Sequence, residues 1–253
     1  MIFDSVTVYD LVPFIAVGFA AQLVDGALGM AFGVISSTLL LSLGVPPAAA
    51  SAGVHTVESF TTGVSGLSHI AHRNVEWRLL ARLAIPGVIG GCLGAYVLTN
   101  IDAGTSTPFV LAYLATIGIY LIWRSTRRQL EHRQARVVEP LGLAGGFLDA
   151  VGGGGWGPVV TSNLLVQGHE PRMTIGTVSA SEFVLSVTIS ITFIMALGIE
   201  AFTVSTVGLL IGGVLAAPLG AFIVKKVHAS RLLLLVGALL TITSLCGAYN
   251  ALT

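Results

Sequence analysis

The sequence predicts an all-α polytopic membrane protein made of two inverted-topology repeats. Each repeat is a broken or re-entrant helix hairpin plus three transmembrane helices. Three observations predict this. Of 253 residues, 54% are hydrophobic and only 9% are charged, where a soluble domain carries roughly a quarter charged residues. With a mean hydropathy of +0.90, the apolar runs recur at about 20 residues, enough to cross about 30 Å of hydrocarbon. The chain also repeats itself. Shifted by 124 residues, Gly18, Ala20, Asp25, Gly29 and Gly33 fall on Gly142, Ala144, Asp149, Gly153 and Gly157. Leu40, Leu41, Gly44, Pro47, Val54 and Glu58 fall on Leu164, Leu165, Gly168, Pro171, Val178 and Glu182. The informative matches are Asp, Pro and Glu, rare residues in so apolar a chain. Two residues further out of phase, GGCLGAY (90–96) aligns with AAPLGAF (216–222).

The first transmembrane repeat is 1–123, a basic cytoplasmic linker is 124–138, and the second repeat is 139–253. In order, the first repeat holds apolar segments at 11–45 (broken at 25–33), 47–68, 79–99 and 108–123. The second holds 140–168 (broken at 149–157), 172–197, 202–224 and 231–250. Cytoplasmic loops collect Lys and Arg. The loop 69–78 is basic, while its counterpart near 198–202 carries only Glu200; the loop 100–107 has only Asp102, while 225–231 is basic. Equivalent loops of opposite charge character place the halves upside down relative to each other. All twelve Lys and Arg then face the cytoplasm and both termini face out, in the cell (inner) membrane of a prokaryote. Each arm of a broken segment holds about 14–16 residues, or roughly 21–24 Å of helix. That is short for a full span and favours re-entrant hairpins, with two short tilted helices as the alternative. The start MIFDSVTVYD has no basic region and shows no cleavable signal peptide. Cys92 and Cys246 lie in apolar runs and read as small core residues rather than a disulfide or metal site.

The stretch DAVGGGGWGPVVTSN (149–163) puts the strongest helix break of the chain inside a membrane segment. Irregular backbone survives at that depth only where it is buried in protein or lines a watery cavity. Inverted repeats with broken helices are an architecture of secondary transporters, with substrate between the repeats. The second arm of each hairpin starts after the glycines, so its free N–H groups and positive dipole end point at the tip, ready for an anion. Glycine also lets backbone approach a ligand closely.

The substrate-binding candidates are therefore Gly29, Gly33, Ser36 and Ser37 in the first half. In the second they are Gly153, Gly154, Gly155, Trp156, Gly157, Thr161, Ser162 and Asn163. Polar stripes at helical spacing, Ser51–His55–Glu58–Thr62–Ser65 and Ser179–Glu182–Ser186, add His55 and Ser179 as walls of a site. The blander readings are a tight glycine turn, a packing role for Trp156 and a hydrogen-bonded core histidine at 55. Four acids lie inside membrane segments: Asp25, Asp149, Glu58 and Glu182. Such acids face an interior or a cavity. They could carry a coupled proton or brace the breaks.

The chain is similar to the TauE/SafE family of sulfite and organosulfonate exporters. The resemblance rests on GGGGWGPVV (152–160) and LLVQGHEPRMTIGTVSASEF (164–183). Within these, Gly152 to Gly155 form the glycine run, followed by Gly157 and Pro158. Leu164 and Leu165 precede the turn Gly168–Pro171, and Gly176–Thr177 follow in the next helix. The first half matches more loosely, through DGALGMAFG (25–33) and LGVPPAAASAG (43–53), and has Ala52, Gly53 and Val54 where the pattern has Gly-Thr-Ser. The resemblance covers essentially the whole chain and implies a membrane permease of anionic sulfur compounds.

The function expected is a secondary transporter of small anions such as sulfite or organosulfonates, by alternating access, proton- or ion-coupled. The expected partners are that solute and the lipid bilayer, with a homodimer left open. No nucleic acid partner, enzyme activity, cofactor or metal is expected, and no nucleotide-binding G-x-x-x-x-G-K-[ST] motif is present. The competing reading is a cation or metal-ion permease that uses the four carboxylates. An intramembrane aspartyl protease is disfavoured because the chain lacks a Gly-x-Gly-Asp motif.

Overall fold

The computed structural model describes residues 8–28, 30–126, 137–198, 204–224 and 229–252. Among these the chain is helical, with ten α-helices and no strand. The first half holds α1 (Val8–Leu28), α2 (Phe32–Ser42), α3 (Pro47–Ala71), α4 (Trp77–Thr99) and α5 (Ala103–Ser125). The second holds α6 (Glu139–Gly152), α7 (Ser162–Val166), α8 (Pro171–Leu197), α9 (Val204–Val224) and α10 (Ala229–Leu252). A π-helical stretch, Trp156–Thr161, leads directly into α7. Among the described residues three helices are long and apolar enough to cross a membrane: Trp77–Thr99, Ala103–Ser125 and Arg172–Leu197.

Local sequence sets these boundaries. Pro47 opens α3 and Pro171 opens α8, where the missing N–H costs nothing. The Asp102 carboxylate accepts from Thr105 N at 2.9 Å and caps α5. Among the described residues the breaks fall inside the expected windows, at 30–31 and 153–155. The first arm differs from expectation: α1 has 21 residues, or roughly 31 Å, so its length alone suffices for a span. The second-half arm α6 has 14.

Helices pair across the two halves of the sequence. α1 packs along α9, α4 along α6, α3 against α8 and α5 against α10. Glycines form the seams. A Cβ at Gly90 or Gly146 would strike the carbonyl of Leu143 or Gly87 across the α4–α6 seam. A Cβ at Gly18 or Gly212 would strike Leu209 or Ile15 across α1–α9. In α5 and α10, Gly118 and Gly237 face each other, each Cβ falling 2.6–2.8 Å from the other's carbonyl oxygen. In lipid, helix association depends on such close backbone approach. The frame holds α2 and the Trp156–Val166 segment at its centre, their starts facing each other.

Candidate functional site

Each break is closed by an aspartate reaching forward. Asp25 Oδ1 accepts from Ala31 N at 2.7 Å and Phe32 N at 3.1 Å. Asp149 Oδ1 accepts from Gly155 N at 2.6 Å and Trp156 N at 2.8 Å. The offsets are the same, six and seven residues, in both halves. This corrects the expectation of free amides: at 155 and 156 the helix-start donors are already taken by the chain's own carboxylate, which satisfies groups that an interrupted helix leaves orphaned.

The glycine run reads position by position. Gly152 ends α6, where a Cβ would strike the Tyr113 ring of α5. Gly153 turns the chain with φ +64, and Gly154 follows with φ +154. Both lie where side chains are disfavoured. Gly154 also lies directly on the first tip: a Cβ on Gly33 would sit 2.7 Å from Gly154 Cα, 2.8 Å from Glu58 Oε1 and 2.9 Å from Gly153 O. At Gly155 a Cβ would strike the Tyr113 hydroxyl. The two tips thus meet backbone to backbone with a carboxyl group alongside.

Where they meet is a cavity of about 10 Å³, lined by the four acids Asp25, Glu58, Asp149 and Glu182 and by tip residues including Gly33, Gly154, Gly155 and Gly157. That is room for about one water. Neither Lys nor Arg is among its lining residues. Glu58 Oε2 is buried with no hydrogen-bond partner among the described residues.

The remaining expected site residues are placed as follows. Gly29 lies outside the described residues. Ser37 is buried and its hydroxyl donates to Gly153 O at 2.6 Å, tying α2 to the second tip. Ser36, Thr161 and Ser162 are buried but do not line the cavity. Ser162 donates weakly to Met30 Sδ at 3.7 Å. Trp156 is fully buried, its ring against Gly87 and Gly145 and its indole N–H directed at Val178 O at 3.4 Å. It anchors the second tip to α4, α6 and α8. Asn163 is exposed and faces away from the cavity. Ser179 donates to Ser65 at 2.9 Å, bridging α8 and α3.

His55 meets Asp149 instead, with Nε2 at 3.1 Å from Oδ2. Nearby, the Ser51 hydroxyl donates to Ala150 O at 2.6 Å. Sequence reasoning missed Tyr113, one of two tyrosines in the apolar α5, with no repeat mate to flag it.

A family model, described as Sulfite exporter TauE/SafE, matches residues 14–246. The chain belongs to the TauE/SafE family. It is 40% identical over 243 residues to the "Probable membrane transporter protein YtnM" of Bacillus subtilis (strain 168), covering 92% of this chain and 81% of that one. No solved structure matches the chain. This TauE/SafE member is therefore a membrane transporter and not an enzyme. Its apolar helices and its relative fit a place in the bilayer.

Proposed function

We propose that the protein is a secondary transporter of small anions, sulfite or an organosulfonate, working by alternating access at the two tips. The observation that carries this is the meeting of two interrupted helices over one cavity lined by four acids. The repeats are taken as inverted, 1–123 and 139–253, joined by the basic linker 124–138, with both termini outside the inner membrane. The symmetric pairings α1–α9 with α4–α6, and the matched Asp25 and Asp149 caps, support that organisation.

The donors for an anion shift from the expected ones. With Gly155 and Trp156 committed to Asp149, the next helix-start amides belong to Gly33, Val34 and Gly157, residues that line the cavity, and have no acceptor within their own helices. Pro158 cannot donate, so the first tip offers one more N–H than the second. A cavity the size of one water admits no sulfite, so the tips must part for the solute to enter. An anion among four carboxylates brings protons with it, and Glu58 and Glu182 are the candidates to carry them. Transport of labelled sulfite and of a sulfonate panel by counterflow into proteoliposomes tests the reading. Flux equal to protein-free vesicles across the panel overturns it.

The acid-lined, base-free cavity also favours a second reading, a cation permease. Calorimetry separates the two: saturable divalent-cation binding abolished by Glu58→Gln, with no sulfite counterflow, reverses the order.

A further inference from the structure

The geometry points to a single exchangeable proton held between His55 and Asp149, which locks the second glycine tip to α3 and whose release frees it. Counting donors and acceptors gives the proton. His55 Nδ1 lies 2.8 Å from Ser51 O, a carbonyl that can only accept. The other neighbour of Nδ1 is the Ser51 hydroxyl at 3.3 Å, and its hydrogen is already donated to Ala150 O. Nδ1 must therefore carry a hydrogen. On the far side, Nε2 faces Asp149 Oδ2 at 3.1 Å. An unprotonated Nε2 and an ionised carboxylate would set two lone pairs against each other, with the residues 0% and 1% exposed. One further proton must sit in that gap, on the imidazole or on the carboxyl.

The same carboxyl holds the tip. Through Oδ1, Asp149 caps Gly155 and Trp156. Losing the shared proton turns an attraction into a buried repulsion. Asp149 must then move off His55, and the two capped amides move with it. The proton has an exit, because Asp149 lines the same small cavity as Glu58, which has room for about one water to take it, leaving the pair one positive charge poorer.

The other groups around the pair are few. Glu58, Glu182 and Asp25 share the cavity. Tyr113 of α5 lies against Gly152 and Gly155. The Phe193 ring of α8 is 6.5 Å from the imidazole. α2 and α9 carry no titratable side chain, and in α4 Cys92 is turned to Thr192. The tie exists on one side only. Position 179, 124 residues after His55, is a serine engaged with Ser65, so Asp25 has no imidazole at the matching place. The purpose of such a lock rests on the transport reading; the proton itself does not.

Trp156, buried at the tip, reports on the lock without any substrate. In a Trp77→Phe/Trp123→Phe background it is the sole tryptophan. The full chain in nanodiscs should show a reversible change in its emission when the pH is varied over the range in which the chain stays folded. His55→Gln, which can still donate to Asp149 but cannot titrate, should abolish that change. An unaltered transition in His55→Gln, or none in the parent, overturns the inference. Should that variant fail to fold, 15N spectra of histidine-labelled wild-type chain decide. The imidazole shielded from a soluble paramagnetic agent should keep Nδ1 protonated while its Nε2 signal changes with pH, whether the shared proton sits on the ring or is donated to it by the carboxyl; an Nε2 signal that never changes sinks the idea. Sulfite counterflow is read separately. Its absence with the emission change intact removes the sulfite reading and leaves the proton in place.

Discussion

Replacing Gly154 with alanine tests the contact between the tips most directly. Two costs are expected. The first is conformational: φ is +154 at Gly154, and forcing a side chain into disfavoured backbone costs about 1–2 kcal/mol. The second is steric. The new Cβ would lie 2.6 Å from Gly33 Cα and closer still to Gly33 C and Val34 N, which are backbone atoms and cannot rotate aside. Overpacking of this kind adds about 1–3 kcal/mol. Gly44→Ala supplies the control, since Gly44 has φ +82 and nothing within 4 Å of a Cβ, so it carries the first cost alone. For a chain of this length 1 kcal/mol corresponds to roughly 2 °C in Tm. Gly44→Ala should lower the Tm in detergent by about 2–4 °C, and Gly154→Ala by roughly 4–10 °C, with sulfite counterflow lost only in the second. If Gly154→Ala melts within about 1 °C of Gly44→Ala and still transports, the tips do not touch as described.

Asp149→Ala strands the Gly155 and Trp156 amides and should cost about 2–4 kcal/mol, read as a Tm loss; Asp25→Ala should cost a similar amount for the same reason, and no loss in either would remove the capping role. Trp156→Ala empties a fully buried site and should cost about 3–5 kcal/mol, whereas Asn163→Ala, at an exposed position, should leave both Tm and counterflow unchanged. Outside the membrane-spanning segments, bonds from Thr105 hold the Asp102 carboxyl below the usual range. Its stabilisation is therefore present above the unfolded value of about 4 and is lost as pH falls through the lower folded value. The Tm gap between wild type and Asp102→Asn should be open at pH 6 and should narrow on acidification; a gap independent of pH refutes the cap.

Much of this arrangement was legible because its signals are rare residues in a monotonous background. Glycines and acids inside apolar runs marked the breaks, and proline marked the starts of α3 and α8. The helices from α3 onward fall within a few residues of the apolar segments. Direction was not legible. Nothing in the spacing of Asp149 and Trp156 says that the carboxylate turns forward to take the amides an anion would otherwise find. Nor does any local pattern bring His55 to a partner 94 positions away, or turn Asn163 outward while Thr161 and Ser162 turn in. The length of α1 was missed because Asp25 was read as the edge of a break, whereas the helix runs through it to Leu28.

The glycine seams bear on what can move. Each joins an early helix to a late one, α1 to α9 and α4 to α6, with backbones too close to slide without tearing. Residues 1–123 therefore cannot rock as a block against 139–253. Any rigid body contains pieces of both, and the chain is interleaved like clasped hands. Severed in the 124–138 segment and made as two polypeptides, neither half would keep a complete body of its own, and the fragments should survive only when produced together.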